Sequence, residues 1–581
     1  MQATRAVWLN LQQVNKPVPK MERSQSSLSP LLSQILHNRG IQPEDQATYL
    51  HPEMHDLASP MNLTGMREAV ARLQSARKNA ELVAVLGDSD VDGITATAVL
   101  VQAFTAAGLR VIPCIPSRLE GAGLSQRSLK DLQMQGAQVI VTVDCGMAST
   151  AEIAEAVADG LDVIVTDHHK PLLELPPALA IVNPHLEDVC SPCKDLAGVG
   201  VAFRLAQALL RATRRDAIQR EYELLDLVLI GTIGDMAPLV GENRILASHG
   251  LRVLNETRRV GLQALVSSSG LSLGSISATD VGIRLCPRLN VAGRNGNAAL
   301  GYDLLVSTSA EAARTVVQKL EEMTVERQHR TQQALIMLHE QLGAQPSAPE
   351  NHLLVLRVDA WAADIMGLLA GKIVEEFAKP VVVLLEANGE VRGSARGVPG
   401  FDILEALQAH ADLLRRFGGH QLAAGFTADS QHAEALVTAL RQRVATLLSA
   451  KEALPTLQFD AELSPGQITW RLLDQLQALE PCGIGNPSPL FLCRRLRVLE
   501  FRIGGNNHLR LSVGKGGQRL EAFVFRRGDL ARFMHRHMDV DLIFSLETNE
   551  WNDVSNLQLR VRDMAFEPNY SLGLDSGAPY P

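Results

Sequence analysis

The stretch VAVLGDSDVDGITATAVL, residues 83–100, sets Asp88, Asp90 and Asp92 at every second position ahead of Gly93, between an apolar run and an Ala/Thr-rich one. Carboxylates at that spacing collect hard cations. The start of an EF-hand matches these four residues, but loop position twelve, which must supply a bidentate glutamate, is Val99, and residues 82–86 form a short strand-like run instead of a helix. A phosphate loop is excluded as well, because the glycines enclose acids and no Gly-Lys-Ser/Thr follows. What remains is a strand that ends in carboxylates and turns into a helix over about 94–107, stopped by Gly108.

Three more places carry residues of the same chemistry. Asp144-Cys145-Gly146 follows the run QVIVTV, Thr166-Asp167-His168-His169 follows DVIVT, and Asp235 ends the glycine-broken run of DLVLIGTIGDMAPLV. Asp226, earlier in that last run, is of the kind that caps a helix or forms a salt bridge. A single Asp after a strand is commonly a helix cap and a single His is commonly packed, but their coincidence suits a hydrolase that holds two cations about 3.5–4 Å apart. An oxygen-rich set with imidazole favours Mn²⁺ or Mg²⁺ over structural zinc.

The elements that must position these groups are legible from about residue 81. LVAVL, VIPCIP, QVIVTV and DVIVT alternate with helical stretches such as SQRSLKDLQMQ and ASTAEIAEAVADG. Such alternation predicts an α/β fold with a doubly wound parallel sheet, whose ligands bind outside the carboxyl ends of the strands. The acid clusters fall at that edge. From about 308 to 342 there is neither Gly nor Pro, so a helix spanning roughly 50 Å is expected, ended by Gly343 and the linker AQPSAPE. A second α/β region follows, with RGSARG and FGGHQLAAGF. There glycine-flanked Ser394, Arg396 and His420 suggest close backbone approach to an anion. Strand runs LRLSV, EAFVF and LIFSLE with turns GGNN and GKGG then predict a small barrel.

The chain has 581 residues, 46% of them hydrophobic, enough for several packed cores. No apolar run is long enough to span a membrane, and the start MQATRAVWLNLQQVNKPVPK has no signal-peptide core, so a cytoplasmic protein is expected. Seven cysteines, thinly spread, fit reduced thiols. Cys190-Ser-Pro-Cys193 has zinc or redox spacing but no second pair to close a tetrahedral site. The net charge of −9 argues against a uniformly basic coat. Residues 494–540, however, hold eleven Lys/Arg against four acids, a local excess of seven. That stretch reads either as a solvated face or as a polyanion track on which Phe501, Phe523 and Phe525 could stack bases.

Taken in order, ILHNRGI, GDSDVDG, VDCGMAS, TDHH, LAGVGVAF, GTIGDMAPL, PRLNVAGR, GSAR, FGGHQLAAG, EPCGIGNPSPLF and NNHLRLSV resemble the RecJ family of the DHH phosphoesterase superfamily, the bacterial exonucleases specific for single-stranded DNA. The resemblance runs from about residue 30 to 565. It implies a helical lead-in (1–62), a DHH catalytic domain (63–300), a connecting long helix (301–345), a smaller α/β DHHA1 domain (346–450), a C-terminal OB-fold β-barrel for nucleic acid (455–565) and a tail (566–581). It further implies 5′→3′ removal of mononucleotides in DNA repair and recombination. Asp88, Asp90, Asp92, Asp144, His168 and Asp235 would hold two Mn²⁺ or Mg²⁺ ions, with Asp167 behind them. His169 would contact the scissile phosphate, which Arg288 and Asn290 help to position. Arg118 would bind the strand, while Ser394, Arg396 and His420 would sense the 5′ end. The expected partners are single-stranded DNA, single-strand-binding protein and a RecQ-type helicase, with the enzyme a monomer.

The sequence departs from the family pattern at two places that bear on end recognition and processivity. PSRLEGAGLS has Ala122 where the family carries an aromatic that stacks on nucleic acid, and one residue fewer. Trp361 is followed by Ala362, Ala363 and Asp364 where Trp-His-x-Gly is usual, and Gly371-Lys372 replaces Ser-Arg. The metal set is complete. Two rival readings are a DHH phosphodiesterase of short oligonucleotides or cyclic dinucleotides, and a catalytically silent single-strand-binding scaffold. The first has no use for the basic region, and the second has no need to keep every ligand.

Overall fold

A computed structural model describes residues 7–11, 29–116, 124–171, 174–186, 192–294, 296–344, 352–447, 456–551 and 554–566. Strands β1 (Leu82–Gly87), β2 (Arg110–Cys114), β3 (Ala137–Val143), β4 (Asp162–Thr166) and β5 (Ala180–Val182) form a wholly parallel sheet in the order β2-β1-β3-β4-β5. Its apolar runs are continuous because both faces are buried. Val83, Val85, Val139 and Val141 face one core with the helix Met66–Lys78, helix α1 (Val91–Ala107) and helix α2 (Gly198–Thr213). Ala84, Leu86, Ile140 and Val163 face the other, with Leu129, Leu132 and Ile153 of the helices Gln126–Met134 and Thr150–Ala158. The sheet is thus doubly wound. The chain leaves β1 toward one edge and returns to β3 on its other side, which opens a crevice at the carboxyl ends of β1 and β3.

Helix α3 (Leu225–Gly234) crosses behind α1 and α2, and helix α4 (Cys286–Arg294), entered through a π-helical turn Val281–Leu285, lies against α1. The long helix α5 (Ala310–Ala344) has 35 residues and continues through Gly343 instead of ending there. Its first half contributes Ala313, Val317 and Leu320 to the core of the parallel sheet. Ala334 and Leu338, further along, belong to a separate core with helix α6 (Met366–Phe377). One rigid helix therefore sets the spacing of two packed units.

The second sheet consists of β6 (Leu354–Arg357), β7 (Val381–Ala387), β8 (Glu390–Arg396), β9 (Arg416–His420) and β10 (Ala423–Asp429) in the order β9-β10-β8-β7-β6, parallel only between β6 and β7. The last strands, β11 (Phe491–Gly504), β12 (His508–Lys515), β13 (Gln518–Val524), β14 (Asp539–Trp551) and β15 (Val554–Phe566), run in the order β11-β12-β13-β15-β14. Pairing of β14 with β11 then closes a five-stranded barrel. The N-terminal helices, read from sequence only as a lead-in, serve this barrel: Leu32, Ile35, Leu36 and Leu50 share a core with Leu476, Phe491 and Leu511. Residues Val7–Asn10 also pair in parallel with Thr456–Phe459. No helix among the described residues is long and apolar enough to cross a membrane.

Candidate metal centre

The site is assembled at the crevice between β1 and β3. Asp90 is the N-cap of α1, accepting hydrogen bonds from the amides of Asp92 (3.0 Å) and Gly93 (3.2 Å). An acidic cap there meets the positive end of the helix, and α1 accordingly begins at Val91, three residues before the expected start. Asp92, in the first turn, points across to α2. Its Oδ2 accepts from Gly198 N and its Oδ1 from Val199 N, both at 2.7 Å. The first two amides of a sixteen-residue helix are thus spent on one buried carboxylate. Gly198 also lies so close to Asp144 that a Cβ there would stand 2.6 Å from Asp144 Oδ1. The motif LAGVGVAF contained these residues, but their part in holding Asp92 was not deduced. A glycine opening a helix was the available signal.

Asp144 follows β3 with φ of +58°, a left-handed conformation that costs a non-glycine residue about 1–2 kcal/mol. The turn lets its carboxylate face back toward α1. Asp167, after β4, uses one oxygen to hold its own turn and the other to hold the turn after β3. Oδ1 accepts from the amides of His168 (2.7 Å) and His169 (3.1 Å) and lies 2.8 Å from His169 Nδ1, while Oδ2 accepts from Met147 N at 2.9 Å. Asp235 is the C-cap of α3, and Asp226, as its sequence position suggested, is a structural acid paired with Arg259 at 2.9 Å.

These elements bring Asp88, Asp90, Asp92, Asp144, His168, His169 and Asp235 together. Three overlapping triads each place one ligand atom per residue within 4.8 Å of the others: Asp88, Asp90 and Asp144; Asp92, His168 and Asp235; and Asp144, His168 and His169. His168 lies at their junction, with Nε2 3.1 Å from Asp144 Oδ1 and 3.9 Å from Asp92 Oδ2, and Nδ1 3.9 Å from Asp235 Oδ2.

Burial, then repulsion from Asp235 and Asp90, pushes Asp92 up to about 7. Burial and Asp90 push Asp235 to about 7, and Asp144 is raised well above the carboxylate range by burial and the neighbouring acids. Burial lowers His168, in the direction of the neutral imidazole form that ligates metals. Although burial alone would raise Asp167, the His169 hydrogen bond and backbone amides bring it below the usual range, and the same bond raises His169 to about 9. Asp144 Oδ1 and His168 Nε2 are buried with no hydrogen-bond partner. Buried polar atoms are normally satisfied, so two orphaned acceptors among crowded carboxylates fit hard divalent cations.

The other sequence-predicted residues fall around this cluster. Asn290 of α4 accepts on Oδ1 from Val91 N at 3.1 Å, helping to hold the start of α1. Arg288 is anchored by Glu321 of α5 (Nε to Oε1, 2.6 Å) and by the Arg284 carbonyl (2.6 Å). Ser394 and Arg396 stand on β8 against the first turn of α6, where a Cβ on Gly367 would lie 3.0 Å from Arg396 Nη2 and 3.5 Å from Ser394 Oγ. His420 ends β9, with Ala423 of β10 paired to it on one side and to Arg396 on the other. Burial first, and then the neighbouring His169 and His168, lower His420. Asp364 is ion-paired with Arg330 of α5 (Nη1 to Oδ2, 3.2 Å), and Ala362 is buried. Arg118, Ala122 and Cys190 lie outside the described residues.

The charge excess of residues 494–540 is partly cancelled in the folded barrel. Arg494 pairs with Glu462 and Asp541, Arg497 with Asp539, Arg519 with Glu500 and Glu521, and Arg527 with Asp529. Phe501 packs on the barrel core, whereas Phe525 is 53% exposed. His508 lies between Phe523 and Phe525 at centroid distances of 5.0 and 4.6 Å, and Arg526 sits over Phe525.

A parallel sheet that gathers four aspartates and a DHH turn at its switch point, joined by one helix to a smaller mixed sheet, defines a DHH-type phosphoesterase architecture. Family models agree: the DHH family N-terminal domain matches residues 82–232, the DHHA1 domain 350–446 and the RecJ OB domain 459–563. The single-stranded-DNA-specific exonuclease RecJ of Bacillus subtilis (strain 168) is 33% identical over 575 residues, covering 97% of this chain and 71% of that protein. The protein of the same name from Escherichia coli (strain K12) is 33% identical over 559 residues, 92% of this chain and 96% of that one. The crystal structure of RecJ in complex with Mn²⁺ from Thermus thermophilus superposes with a TM-score of 0.79 at 31% identity, covering 93% of this chain and 76% of that chain. The chain belongs to the RecJ family.

Proposed function

We propose that this protein is a divalent-metal-dependent exonuclease that hydrolyses single-stranded DNA from the 5′ end to mononucleotides, in DNA repair and recombination. The observation that carries this reading is the convergence of Asp88, Asp90, Asp92, Asp144, His168 and Asp235, with two orphaned buried ligand atoms, in a chain of the RecJ family. Two Mn²⁺ or Mg²⁺ ions held there would acidify the attacking water and neutralise charge on the phosphate oxygens.

The residues of the chain do the rest. Amides of α2 hold Asp92 in place, and Asp167 fixes the turn that aims His168 and His169. His169, charged through its bond to Asp167, donates to the scissile phosphate. Arg288, steered by Glu321, adds positive charge, and Asn290 keeps the α1 start in register. Water adds to phosphorus and the bond from phosphorus to the terminal nucleotide's O3′ breaks, so a mononucleotide leaves and the strand keeps a 5′ phosphate. Ser394, Arg396 and His420 recognise the 5′ end, with Arg118 on the strand path. The barrel gathers the strand through Phe525, His508 and Arg526. In this reading the enzyme works as a cytoplasmic monomer on strands exposed by a RecQ-type helicase and coated by single-strand-binding protein.

The test is a long single strand, labelled at the 5′ end in one arm and the 3′ end in another, incubated with Mn²⁺ or with chelator. Immediate release of labelled mononucleotide only from the 5′ label, and only with metal, supports the reading. Hydrolysis confined to dinucleotides, or binding without cleavage, refutes it.

A further inference from the structure

The turn that carries Asp235 is gripped from outside its own domain. Met236, directly after Asp235, has φ of +59° and is 70% exposed, and the turn is closed onto the end of α3 by the amides of Asp235, Met236 and Ala237. The next residues meet a loop of the barrel-bearing region, 481–487. The Leu239 amide donates to the Ile484 carbonyl at 2.7 Å. Gly485, with φ of +73°, approaches so closely that a Cβ would lie 3.1 Å from Pro238 Cβ, and a Cβ on Gly483 would lie 2.8 Å from Leu239 Cδ1.

The loop is itself fixed. Gly483 and Asn486 exchange backbone hydrogen bonds at 2.8 and 3.2 Å. Fully buried Asn486 donates from Nδ2 to the carbonyls of Leu479 and Pro481, both at 2.8 Å, and accepts on Oδ1 from the Tyr49 hydroxyl at 2.7 Å and from Arg39. From the other side, Arg244, in the helix Gly241–Asn255 that follows the Asp235 turn, stacks 3.9 Å over the Tyr49 ring. Its guanidinium donates to the carbonyls of Tyr49 (2.8 Å) and Leu479 (3.1 Å). Asn243 donates to the Pro238 carbonyl at 3.0 Å. The N-terminal segment, the helix after Asp235 and the 481–487 loop thus form one knot, and the Asp235 turn is one of its strands.

We infer that the 481–487 loop is a positioning element for Asp235, through which the seating of the DNA-gathering barrel sets the geometry of the metal centre. This rests on the reading of Asp235 as a metal ligand. Disturbing the loop then acts on the chemical step and on the metal requirement, and leaves strand capture intact.

The test uses the full chain with Gly483→Val, whose methyls press on Leu239, and the double variant Gly483→Val/Leu239→Ala, which removes the obstacle. Ile484→Ala is the control, because its side chain is 55% exposed and the bonded carbonyl stays. In Gly483→Val, kcat at saturating strand falls by roughly tenfold to a hundredfold, the scale of a misplacement of about 1 Å. The half-saturating Mn²⁺ concentration rises, while strand affinity in chelator and the melting temperature stay unchanged. The double variant recovers kcat, and Ile484→Ala matches wild type. Should Gly483→Val not fold, Gly485→Ala is read the same way. Wild-type kcat and Mn²⁺ demand in a folded loop variant overturn the coupling. Asp235→Asn is run alongside: if it is inactive, the ligand reading stands whatever the loop variants do, and if it cleaves like wild type, that reading fails.

Discussion

Nε2 of His168 stands 3.1 Å from Oδ1 of Asp144, both atoms are buried, and neither has a hydrogen bond. Burial raises the Asp144 carboxyl and lowers the His168 imidazole, and on the proposed reading both atoms face the cations. Removing either should therefore disable catalysis without unfolding the protein. Asp144→Ala and His168→Ala are expected to lower kcat by about 10³-fold or more, as loss of ion placement removes both water activation and charge neutralisation. Single-strand binding in chelator should be retained, which fluorescence anisotropy checks. Activity equal to wild type would reject the site.

The raised carboxyls give a pH signature. Asp92 and Asp235 sit at about 7 in the folded protein against 3.8 when free. The metal-free fold binds more protons than the unfolded chain between these values, so their contribution to stability is full below about pH 4 and is lost as pH rises through about 7. Cations compete for the same oxygens. In chelator, wild type should melt at lower temperature at pH 8 than at pH 5.5, measured against Asp92→Asn/Asp235→Asn, in which this component is absent. Mn²⁺ should raise the melting temperature more at pH 8 than at pH 5.5.

Gly198 has a steric duty that the neighbouring glycine does not share. A Cβ at Gly198 would meet Asp144 Oδ1 at 2.6 Å, whereas one at Gly200 would meet the movable Leu196 Cδ2 at 3.0 Å. Gly198→Ala should cost roughly 10²-fold in kcat through displacement of the Asp144 carboxylate. Gly200→Ala should stay near wild type. Steady-state kinetics of the two variants decide it.

On the barrel, Phe525→Ala and His508→Ala should weaken binding of a long single strand by about 1–3 kcal/mol each, as expected for a lost stacking platform. Arg526→Gln should instead reduce the salt slope of binding by about one phosphate contact. Cleavage at saturating strand should be little affected in all three. A titration at two or more salt concentrations separates the stacking and ionic contributions.

At the second sheet, Arg396→Ala should erase the difference in rate between strands bearing a 5′ phosphate and a 5′ hydroxyl, and leave the metal requirement unaltered. Equal discrimination in wild type and variant would remove Arg396, and with it Ser394 and His420, from end recognition.

The candidate cluster was legible because its leading acids stand directly after strand-like apolar runs. Asp88, Asp144 and Asp167 follow β1, β3 and β4, and parallel strands deliver their carboxyl ends to one edge. The long helix was visible as an uninterrupted run without Gly or Pro, although nothing local showed that Ala313 and Leu338 enter different cores. Strand β5 has only three residues, too few to leave a periodic pattern. The excess of positive charge after Arg494 overstated the exposed field, because Glu462 and Asp541, outside that stretch, pair with Arg494 once the barrel closes.

The sequence by itself determined which side chains are chemically able to ligate, that Asp88, Asp144 and Asp167 follow strands, and which family the chain resembles. These follow from residue type and local spacing, which short-range backbone preferences convert directly into elements. Only the tertiary structure decided that Gly198 and Val199 hold Asp92, that the Leu239 amide after the Asp235 turn meets the Ile484 carbonyl, and that the N-terminal helices belong to the barrel. Each of these is a contact between segments scores or hundreds of residues apart, set by side-chain packing and backbone hydrogen bonding, and neither leaves a periodic trace in the chain.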